Sequence, residues 1–139
     1  MSFVIDSSIT TGWFLKRRST PYSAAVAACF AANADQYAWV PALWMLELAN
    51  VLRTACKRQE LIASSAHEII AETLLLPIRI DHETPNPAEL LSLALRHDLS
   101  CYDATYLDLA LRLQLPIATQ DAALREAALA SGVGLWAPA

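Results

Sequence analysis

Four acidic residues in this chain are placed where they could bind a metal ion. Asp6, Glu47, Asp103 and Asp121 each lie where an apolar segment ends or turns polar, and none has an evident counter-charge nearby in the sequence. Two carboxylates about 4 Å apart repel each other by roughly 4 kcal/mol at an effective dielectric constant near 20, so a cluster of them requires protons or a cation. Hard divalent cations favour such oxygen ligands. If the four acids converge, the sequence predicts a metal site, and a shared cation indicates chemistry on phosphate.

Asp6 and Asp121 each follow a short apolar run and precede a predicted helix. An aspartate in that place can cap the helix by accepting a backbone N–H, and this alternative accounts for either residue taken alone. Ser7 or Ser8 could cap the first helix instead, which would leave Asp6 free to bind a metal. Considered singly, each aspartate leaves both explanations open.

Glu47 and Asp103 lie on predicted helix faces that turn inward. An unpaired carboxylate on the apolar face of Glu47 is costly, and its structural alternative is a bond to Asn50 or to a distant arginine. Asp103 stands where a capping box places its acidic residue, but its face continues through Tyr106 toward the interior. Asp108 is rotated away by roughly 140° and is predicted to be solvated. One shared site explains two acids at strand ends and two on inward faces better than four unrelated roles.

The elements that must position these acids are short apolar strands alternating with helices. Strands are predicted at 3–5, 37–41, 78–80 and 116–119, with a further short one at 133–136. Helices are predicted at about 6–18, 22–33, 42–58, 64–76, 87–97, 100–113 and 121–130, with Pro41 in the first turn of the third. This alternation indicates an α/β fold: a central parallel sheet of four or five short strands with helices on both faces. Ligands of such sheets bind beyond the carboxyl ends of the strands, where Asp6 and Asp121 lie.

Composition and charge restrict the function further. With 139 residues, of which 55% are hydrophobic, the chain fits a single domain spanning 1–139. Its net charge of −4 provides no global positive field, so any contact with nucleic acid must be local. Two basic clusters could supply that contact as a rim beside the acids, although favourable helix-dipole interaction and solvation are the structural alternative. They comprise Lys16, Arg17 and Arg18, then Arg53 and Lys57.

The sequence also predicts where the protein resides. It has no basic segment followed by a long apolar run at the N-terminus, and no apolar stretch approaches the roughly 18 to 20 residues of a membrane span. Cys29, Cys56 and Cys101 are odd in number and widely spaced, which predicts reduced core residues rather than disulfides. We therefore expect a cytoplasmic protein without membrane contact.

The segments around the four acids resemble those of PIN-domain proteins, and most closely those of VapC-type toxin ribonucleases from bacterial toxin–antitoxin pairs. Each segment is short, but their order and spacing together are specific, and the resemblance covers nearly the whole chain. The segments are Phe3-Val4-Ile5-Asp6-Ser7-Ser8, Pro41-x5-Glu47-Leu48-Ala49-Asn50-Val51-Leu52, Tyr102-Asp103-Ala104-x-Tyr106-Leu107-x-Leu109-Ala110 and Thr119-x-Asp121-x-x-Leu124.

The resemblance implies a PIN-like fold and a metal-dependent endoribonuclease. Asp6, Glu47, Asp103 and Asp121 take the metal positions, with Asp6 and Asp121 as principal ligands, and the supporting residues are Ser8, Asn50 and Thr119. The implied cofactor is Mg²⁺ or Mn²⁺, activating a water for in-line attack on an RNA phosphodiester. The implied partners are the RNA substrate, a small antitoxin protein that inserts into the site groove, and a second copy in a homodimer.

Two other classes of function are compatible with acids in a small α/β fold. One is a catalytically silent RNA- or antitoxin-binding module, which the intact set of acids disfavours. The other is a receiver-like phosphoacceptor domain, which needs a lysine late in the chain. The last lysine is Lys57, and this makes the receiver-like domain the weaker of the two.

Overall fold

The computed structural model describes residues 2–139, in which seven α-helices surround one four-stranded sheet. The strands are β1 (Ser2–Ile5), β2 (Tyr37–Pro41), β3 (Ile78–Asp81) and β4 (Ile117–Ala118). The helices are α1 (Ser7–Phe14), α2 (Pro21–Ala32), α3 (Leu43–Lys57), α4 (Ala63–Thr73), α5 (Pro87–His97), α6 (Cys101–Leu113) and α7 (Ala122–Ser131). A short 3₁₀ helix at Lys16–Arg18 lies between α1 and α2.

The sheet is parallel throughout, with strand order β3-β2-β1-β4. Phe3, Val4 and Ile5 of the central strand β1 are all fully buried. Because successive side chains of a strand point to opposite faces, both faces of β1 are covered, as the run of apolar residues in its sequence predicts. Helix α6 packs against β1 and β2, and it carries Asp103.

The sheet reverses its direction of growth between β1 and β4. The chain first adds β2 and β3 on one side of β1, and then places β4 on the other side. A crevice outside the carboxyl ends of the strands forms at such a switch point and is where parallel α/β sheets bind ligands. Asp6 follows β1 directly, and Thr119 follows β4 directly, so the order of the strands brings both residues to this crevice.

The first predicted helix is too long. It ends at Phe14, because buried Leu15 is extended (φ −107°, ψ 114°), and Lys16–Arg18 form a separate turn. Pro41 is the last residue of β2 rather than the first turn of α3.

Two further boundaries differ from the sequence prediction. Helix α4 ends at Thr73 rather than at residue 76, because the next backbone bonds, including Leu76 N–H to Thr73 O, have the tighter i→i−3 spacing. The predicted strand at 133–136 is only an isolated bridge between Leu135 and Ile117. Gly134 has a φ of +79°, which is incompatible with a continuous ladder.

Candidate metal centre

Three of the four predicted acids line one cleft at the switch point. The cleft has a volume of about 390 Å³, and Asp6, Asp103 and Asp121 contribute carboxylates to it from β1–α1, α6 and β4–α7. Ser8 and Asn50, predicted as supporting residues, also line it. The switch-point crevice is therefore acidic, as the positions of the strand ends predict.

Glu47, the fourth acid, lies in an adjoining groove. That groove is lined by Glu47 and Asn50 together with Leu43, Leu46 and Tyr102, so Asn50 is the residue common to the groove and the cleft. The two spaces meet along α3. Glu47 is half-buried, and it lines the groove rather than the cleft.

Asp6 is both a helix cap and a wall of the cleft. It is only 3% exposed, and its Oδ1 accepts the Ile9 N–H at 3.3 Å and the Ser8 hydroxyl at 2.6 Å. Its Oδ2 accepts the Thr119 hydroxyl at 2.5 Å. Capping and metal binding therefore do not exclude each other at this residue, since bonds to three donors fix the orientation of the carboxylate.

Burial raises the pKa of Asp6 to about 6 from an ordinary value of 3.8. The bonds from Ser8, Thr119 and the Ile9 N–H oppose this rise, and the charge of Asp103 adds to it. The carboxylate is therefore ionised at neutral pH, but burial makes this charged form unfavourable. A nearby cation would stabilise it.

The hydroxyl group of Thr119 links Asp6 and Asp121 through hydrogen bonds. Its side chain is fully buried, and the same hydroxyl that donates to Asp6 accepts the Asp121 N–H at 3.0 Å. Asp121 caps α7 by accepting the Leu124 N–H at 2.9 Å. The orientation of Asp6 and the path of the chain into Asp121 therefore depend on one hydroxyl group.

Glu47 is held by Tyr106 rather than by Asn50 or an arginine, the two partners considered from the sequence. The Tyr106 hydroxyl donates to Glu47 Oε1 at 2.5 Å, and the Tyr106 ring is almost fully buried. Burial raises the pKa of Glu47, the Tyr106 and Ser7 hydroxyls lower it, and the charge of Asp103 raises it further. Tyr106 thus fixes the position of a carboxylate that contributes to the field of the site.

Asp103 interacts electrostatically with each of the other three acids. Its pKa is raised by burial and by the charge of Asp121, while the Ser100 hydroxyl lowers it. Asp103 in turn raises the pKa of Asp6 and of Glu47. The charge of Asp103 therefore disfavours ionisation of Asp6 and Glu47, and the charge of Asp121 disfavours ionisation of Asp103.

The chemistry of these donors fits a hard divalent cation that retains water. None of the four acids takes part in an ion pair within residues 2–139, so no direct ion pair offsets their mutual repulsion. No three Asp, Glu, His or Cys side chains of the described chain are close enough to enclose a metal ion. Mg²⁺ is commonly bound through only one or two carboxylates and several waters, so a complete cage of protein ligands is not required.

Only part of the predicted basic rim reaches the cleft. Arg17 and Arg18 line it, whereas Lys16, Arg53 and Lys57 do not. Where the first helix was expected to carry these charges, the separate turn at Lys16–Arg18 carries them instead.

Asp108 faces away from the cleft, but it is not simply solvated as predicted. Its Oδ2 accepts from Arg112 Nε at 3.0 Å, and Arg112 also pairs with Asp81 and Glu83 at 2.7 Å each. Arg112 thus bridges three carboxylates outside the cleft. The contrast with the unpaired acids of the cleft is clear from the contacts alone.

Sequence reasoning missed two residues that organise the site. Tyr106 lies three positions after Asp103, a spacing that places both on one helix face, and this was the available signal. Gln120 lies between Thr119 and Asp121 and donates its backbone N–H to the Ser8 hydroxyl at 2.8 Å. Nothing in its local sequence indicates that role, since its partners are more than a hundred residues away.

The fold and the site together define a small α/β protein with a cleft at the switch point of a parallel sheet, and the acids that line this cleft make no ion pair within residues 2–139. The chain belongs to the PIN domain family, whose model matches residues 3–129. PIN domains are generally nucleases that use divalent metal ions, which agrees with the donor set of the cleft.

A solved structure shows the same fold. The crystal structure of PAE2754 from Pyrobaculum aerophilum superposes with a TM-score of 0.65, at 21% sequence identity, over 91% of this chain and 87% of that chain. No curated protein matches the chain. No helix within residues 2–139 is long and apolar enough to cross a membrane.

All three cysteines are free, but their environments differ from the prediction. Cys29 and Cys56 are half-buried against the core, whereas Cys101 is exposed at the start of α6. The prediction of a core position was therefore wrong for Cys101. Its place in the first helical turn, preceding the inward face of α6, accounts for its exposure.

Replacing Thr119 with valine is expected to destabilise the metal-free protein by about 1 to 3 kcal/mol at pH 8, because Asp6 loses a donor and the Asp121 N–H loses its acceptor. Since the lost donor stabilised ionised Asp6, the pKa of Asp6 should rise further, and the loss should be smaller at pH 4.5, where Asp6 is protonated in the folded protein. Urea denaturation of both proteins at the two pH values measures this. Thr119→Ser keeps the hydroxyl and is the control: its loss should not depend on pH. An equal loss at both pH values for the valine variant would contradict the proposed bond.

Proposed function

We propose that this PIN-domain protein is a Mg²⁺- or Mn²⁺-dependent endoribonuclease and the toxin of a toxin–antitoxin pair. The observation that carries the proposal is the meeting of Asp6, Asp103 and Asp121 in one cleft at the switch point, where none of them makes an ion pair within residues 2–139. A structural role alone would favour paired or solvated acids, as the ion pairs of Asp108 illustrate.

The residues of the site divide into ligands and groups that orient them. We assign Asp6 and Asp121 as principal metal ligands, with Asp103 and Glu47 completing the negative field. Buried Thr119 and half-buried Ser8 hold the carboxylate of Asp6 in one orientation, and Tyr106 does the same for Glu47. When bound, the ion would lower the pKa of a water and stabilise negative charge on the phosphate and the leaving oxygen.

RNA is the proposed substrate, and the charge distribution limits where it can bind. The net charge of −4 repels a polyanion in general, whereas Arg17 and Arg18 place two guanidinium groups at the margin of the cleft. A bound divalent ion would add positive charge between them and the acids. RNA contact is therefore concentrated at the cleft and should depend strongly on salt.

The groove beside Glu47 supports the proposed antitoxin partner. Leu46 and Tyr102 are 69% and 65% exposed, and with Leu43 they make the groove largely apolar next to a site carboxylate. A small antitoxin inserting an apolar segment with a basic group at this place would cover the apolar side chains and neutralise the acid. We also propose a homodimer and a cytoplasmic location, since RNA and a newly made antitoxin are both accessible there.

The test of the proposal is a divalent-ion titration of RNA cleavage by the purified chain. Without divalent ions, in EDTA, cleavage of single-stranded RNA should stop, and Mg²⁺ or Mn²⁺ should restore it to a plateau. Because a proton on Asp6 competes with the ion, the half-saturating ion concentration should rise as the pH falls through about 6. RNA binding without cleavage at any ion concentration would reject the nuclease and support the silent RNA-binding alternative.

A further inference from the structure

We infer that Gln120 is a positioning residue that holds the Lys16–Arg18 turn at the edge of the acidic cleft, so that Arg18 binds an RNA phosphate next to the one that is cleaved. The inference rests on the proposed function, since it concerns the same substrate. It adds a specific phosphate contact and the residue that places it.

Gln120 connects three segments that are far apart in the sequence. Its side-chain amide donates to Ser8 O and to Arg18 O, each at 3.1 Å, and its side-chain carbonyl accepts the Thr20 hydroxyl. With its backbone N–H bonded to Ser8 Oγ, both polar ends of the residue are satisfied. The β4–α7 connection is thereby tied to the start of α1, to the C-terminal end of the basic turn and to the capping residue of α2.

The packing of α1 fixes the same turn from another direction. Gly12 is buried, and a Cβ atom at this position would lie 2.8 Å from Ser23 Oγ and 3.1 Å from Arg18 O. A larger residue at position 12 would therefore clash with Ser23 of α2 and crowd the Arg18 carbonyl of the turn. Thr20 and Ser23 form a capping box at the start of α2, which defines where the turn ends. The backbone carbonyl of Arg18 is thus held between Gln120 and α1, whereas the side chain of Arg18 is exposed.

Arg17 and Arg18 differ in their availability to a substrate. Arg17 forms a bidentate ion pair with Glu60, through Nε and an Nη atom at 3.2 Å each. Arg18 makes no ion pair within residues 2–139 and lines the cleft with Asp6 and Asp121. Of the two guanidinium groups, Arg18 is the one free to bind an anion.

A phosphate is the anion that this arrangement fits. RNA, the substrate proposed above, brings a series of phosphates of which one must reach the acids, so a neighbouring phosphate comes within reach of the cleft margin where Arg18 lies. A guanidinium group binds phosphate through two parallel hydrogen bonds and keeps its charge at any working pH. Held beside the acids, Arg18 would fix the register of the strand and offset its repulsion from the cleft.

Salt dependence of RNA binding distinguishes this role from a structural one. Binding of a short single-stranded RNA to the full chain is measured in EDTA, where no cleavage is expected, from low to moderate salt. Each phosphate contact contributes about 0.7 to the slope of log K against log salt for single strands. Arg18→Ala should make that negative slope shallower by about 0.7, and Gln120→Ala should make it shallower by a similar amount. The double variant should show no larger change than Arg18→Ala, because both substitutions remove one contact.

The control is Arg96→Ala, which removes the same charge from an exposed position on α5 outside the cleft, and it should leave the slope unchanged. An unchanged slope for Arg18→Ala, or additive changes in the double variant, would overturn the inference. So would a Gln120→Ala protein that melts at lower temperature but binds RNA with the wild-type slope.

Cleavage of the same RNA with Mg²⁺ tests the proposed function separately. If the wild-type protein cleaves RNA while Arg18→Ala keeps the wild-type slope, the proposed function stands and the inference about Arg18 is wrong. A wild-type protein that neither binds nor cleaves RNA overturns both.

Discussion

Replacing Asp6 with asparagine is expected to reduce RNA cleavage by roughly 10²-fold or more and, without divalent ions, to make the protein more stable at pH 8. Both effects have one cause, the buried negative charge at position 6. A bound metal ion contributes several kcal/mol of stabilisation to the transition state of phosphodiester cleavage, and removing a principal ligand should lose much of it. The same charge destabilises the metal-free fold, because burial disfavours the ionised form of Asp6 and so raises its pKa to about 6.

The direction of the stability change follows from the two pKa values of Asp6. The group has a pKa of 3.8 when unfolded and about 6 when folded, so the folded protein binds its proton more tightly. Its contribution to stability is fully present below pH 3.8 and is lost as the pH rises through about 6, a difference of about 3 kcal/mol. Asparagine carries no charge, so the variant should avoid this loss. The gain at pH 8 should be at most about 3 kcal/mol, since the amide must share hydrogen bonds with Ser8 and Thr119.

Urea denaturation at pH 4 and pH 8, with and without Mg²⁺, measures the stability of both proteins. Saturating Mg²⁺ should stabilise the wild-type protein by mass action and leave the asparagine variant unchanged. Asp98→Asn is the matched control, because Asp98 is exposed and has a φ of 52°, which asparagine also adopts readily. An Asp6→Asn protein that cleaves RNA at the wild-type rate would remove Asp6 from the site. A stability difference between the two proteins that is the same at pH 4 and pH 8 would show that burial does not penalise the charge of Asp6.

The elements of the fold are predictable from the sequence, whereas several of their ends are not. The four strands and seven helices follow from apolar runs and helix periodicity, and Asn86, Ser100 and Asp121 cap the helices that their positions predict. The early end of α1 depends on Leu15, which is buried and has an extended backbone. Tertiary packing of that kind leaves no local signal.

The convergence of the acids is predictable for a physical reason. Asp6 and Asp121 follow parallel strands, and the carboxyl ends of parallel strands lie at one edge of the sheet. The partners of the acids are less accessible to sequence reasoning. Gln120 bonds to Ser8 and Arg18 across about a hundred residues, and its type and spacing resemble those of any polar loop residue.

The same limit applies to Glu47. Its inward position follows from helical spacing, but Asn50, the polar residue one turn away, is not its partner. Tyr106 lies on another helix, and only the packing of α3 against the same core as α6 brings its hydroxyl to the carboxylate. A helical pattern predicts which face a residue occupies, and the fold decides what that face meets.

Asp103→Asn should lower cleavage at pH 8 by roughly 10- to 100-fold, the loss typical of removing a group that supports a metal site. It should also move the acidic limb of the pH–rate profile to lower pH. Burial is the main cause of the raised pKa values of Asp6 and Glu47, but the charge of Asp103 adds to both, so removing it should lower both pKa values. The backbone N–H of residue 103 still donates to Ser100 Oγ in the variant, so the start of α6 should be preserved.

The pH–rate profile separates loss of charge from loss of structure. Asp108→Asn is the control on the same helix: it removes one carboxylate from the Arg112 cluster outside the cleft, and an exposed pair of this kind contributes only about 0.3 to 0.5 kcal/mol. That variant should keep the wild-type rate and pH dependence.

Carboxyl ¹³C chemical shifts of Asp6, followed by NMR from pH 3 to pH 8 without metal, report the pKa of Asp6 directly in the wild-type and Asp103→Asn proteins. An unchanged pKa of Asp6 with cleavage still reduced would mean that Asp103 acts on the metal or the RNA and not through the shared field. Unreduced cleavage would exclude Asp103 from the site, even though it lines the same cleft as Asp6 and Asp121.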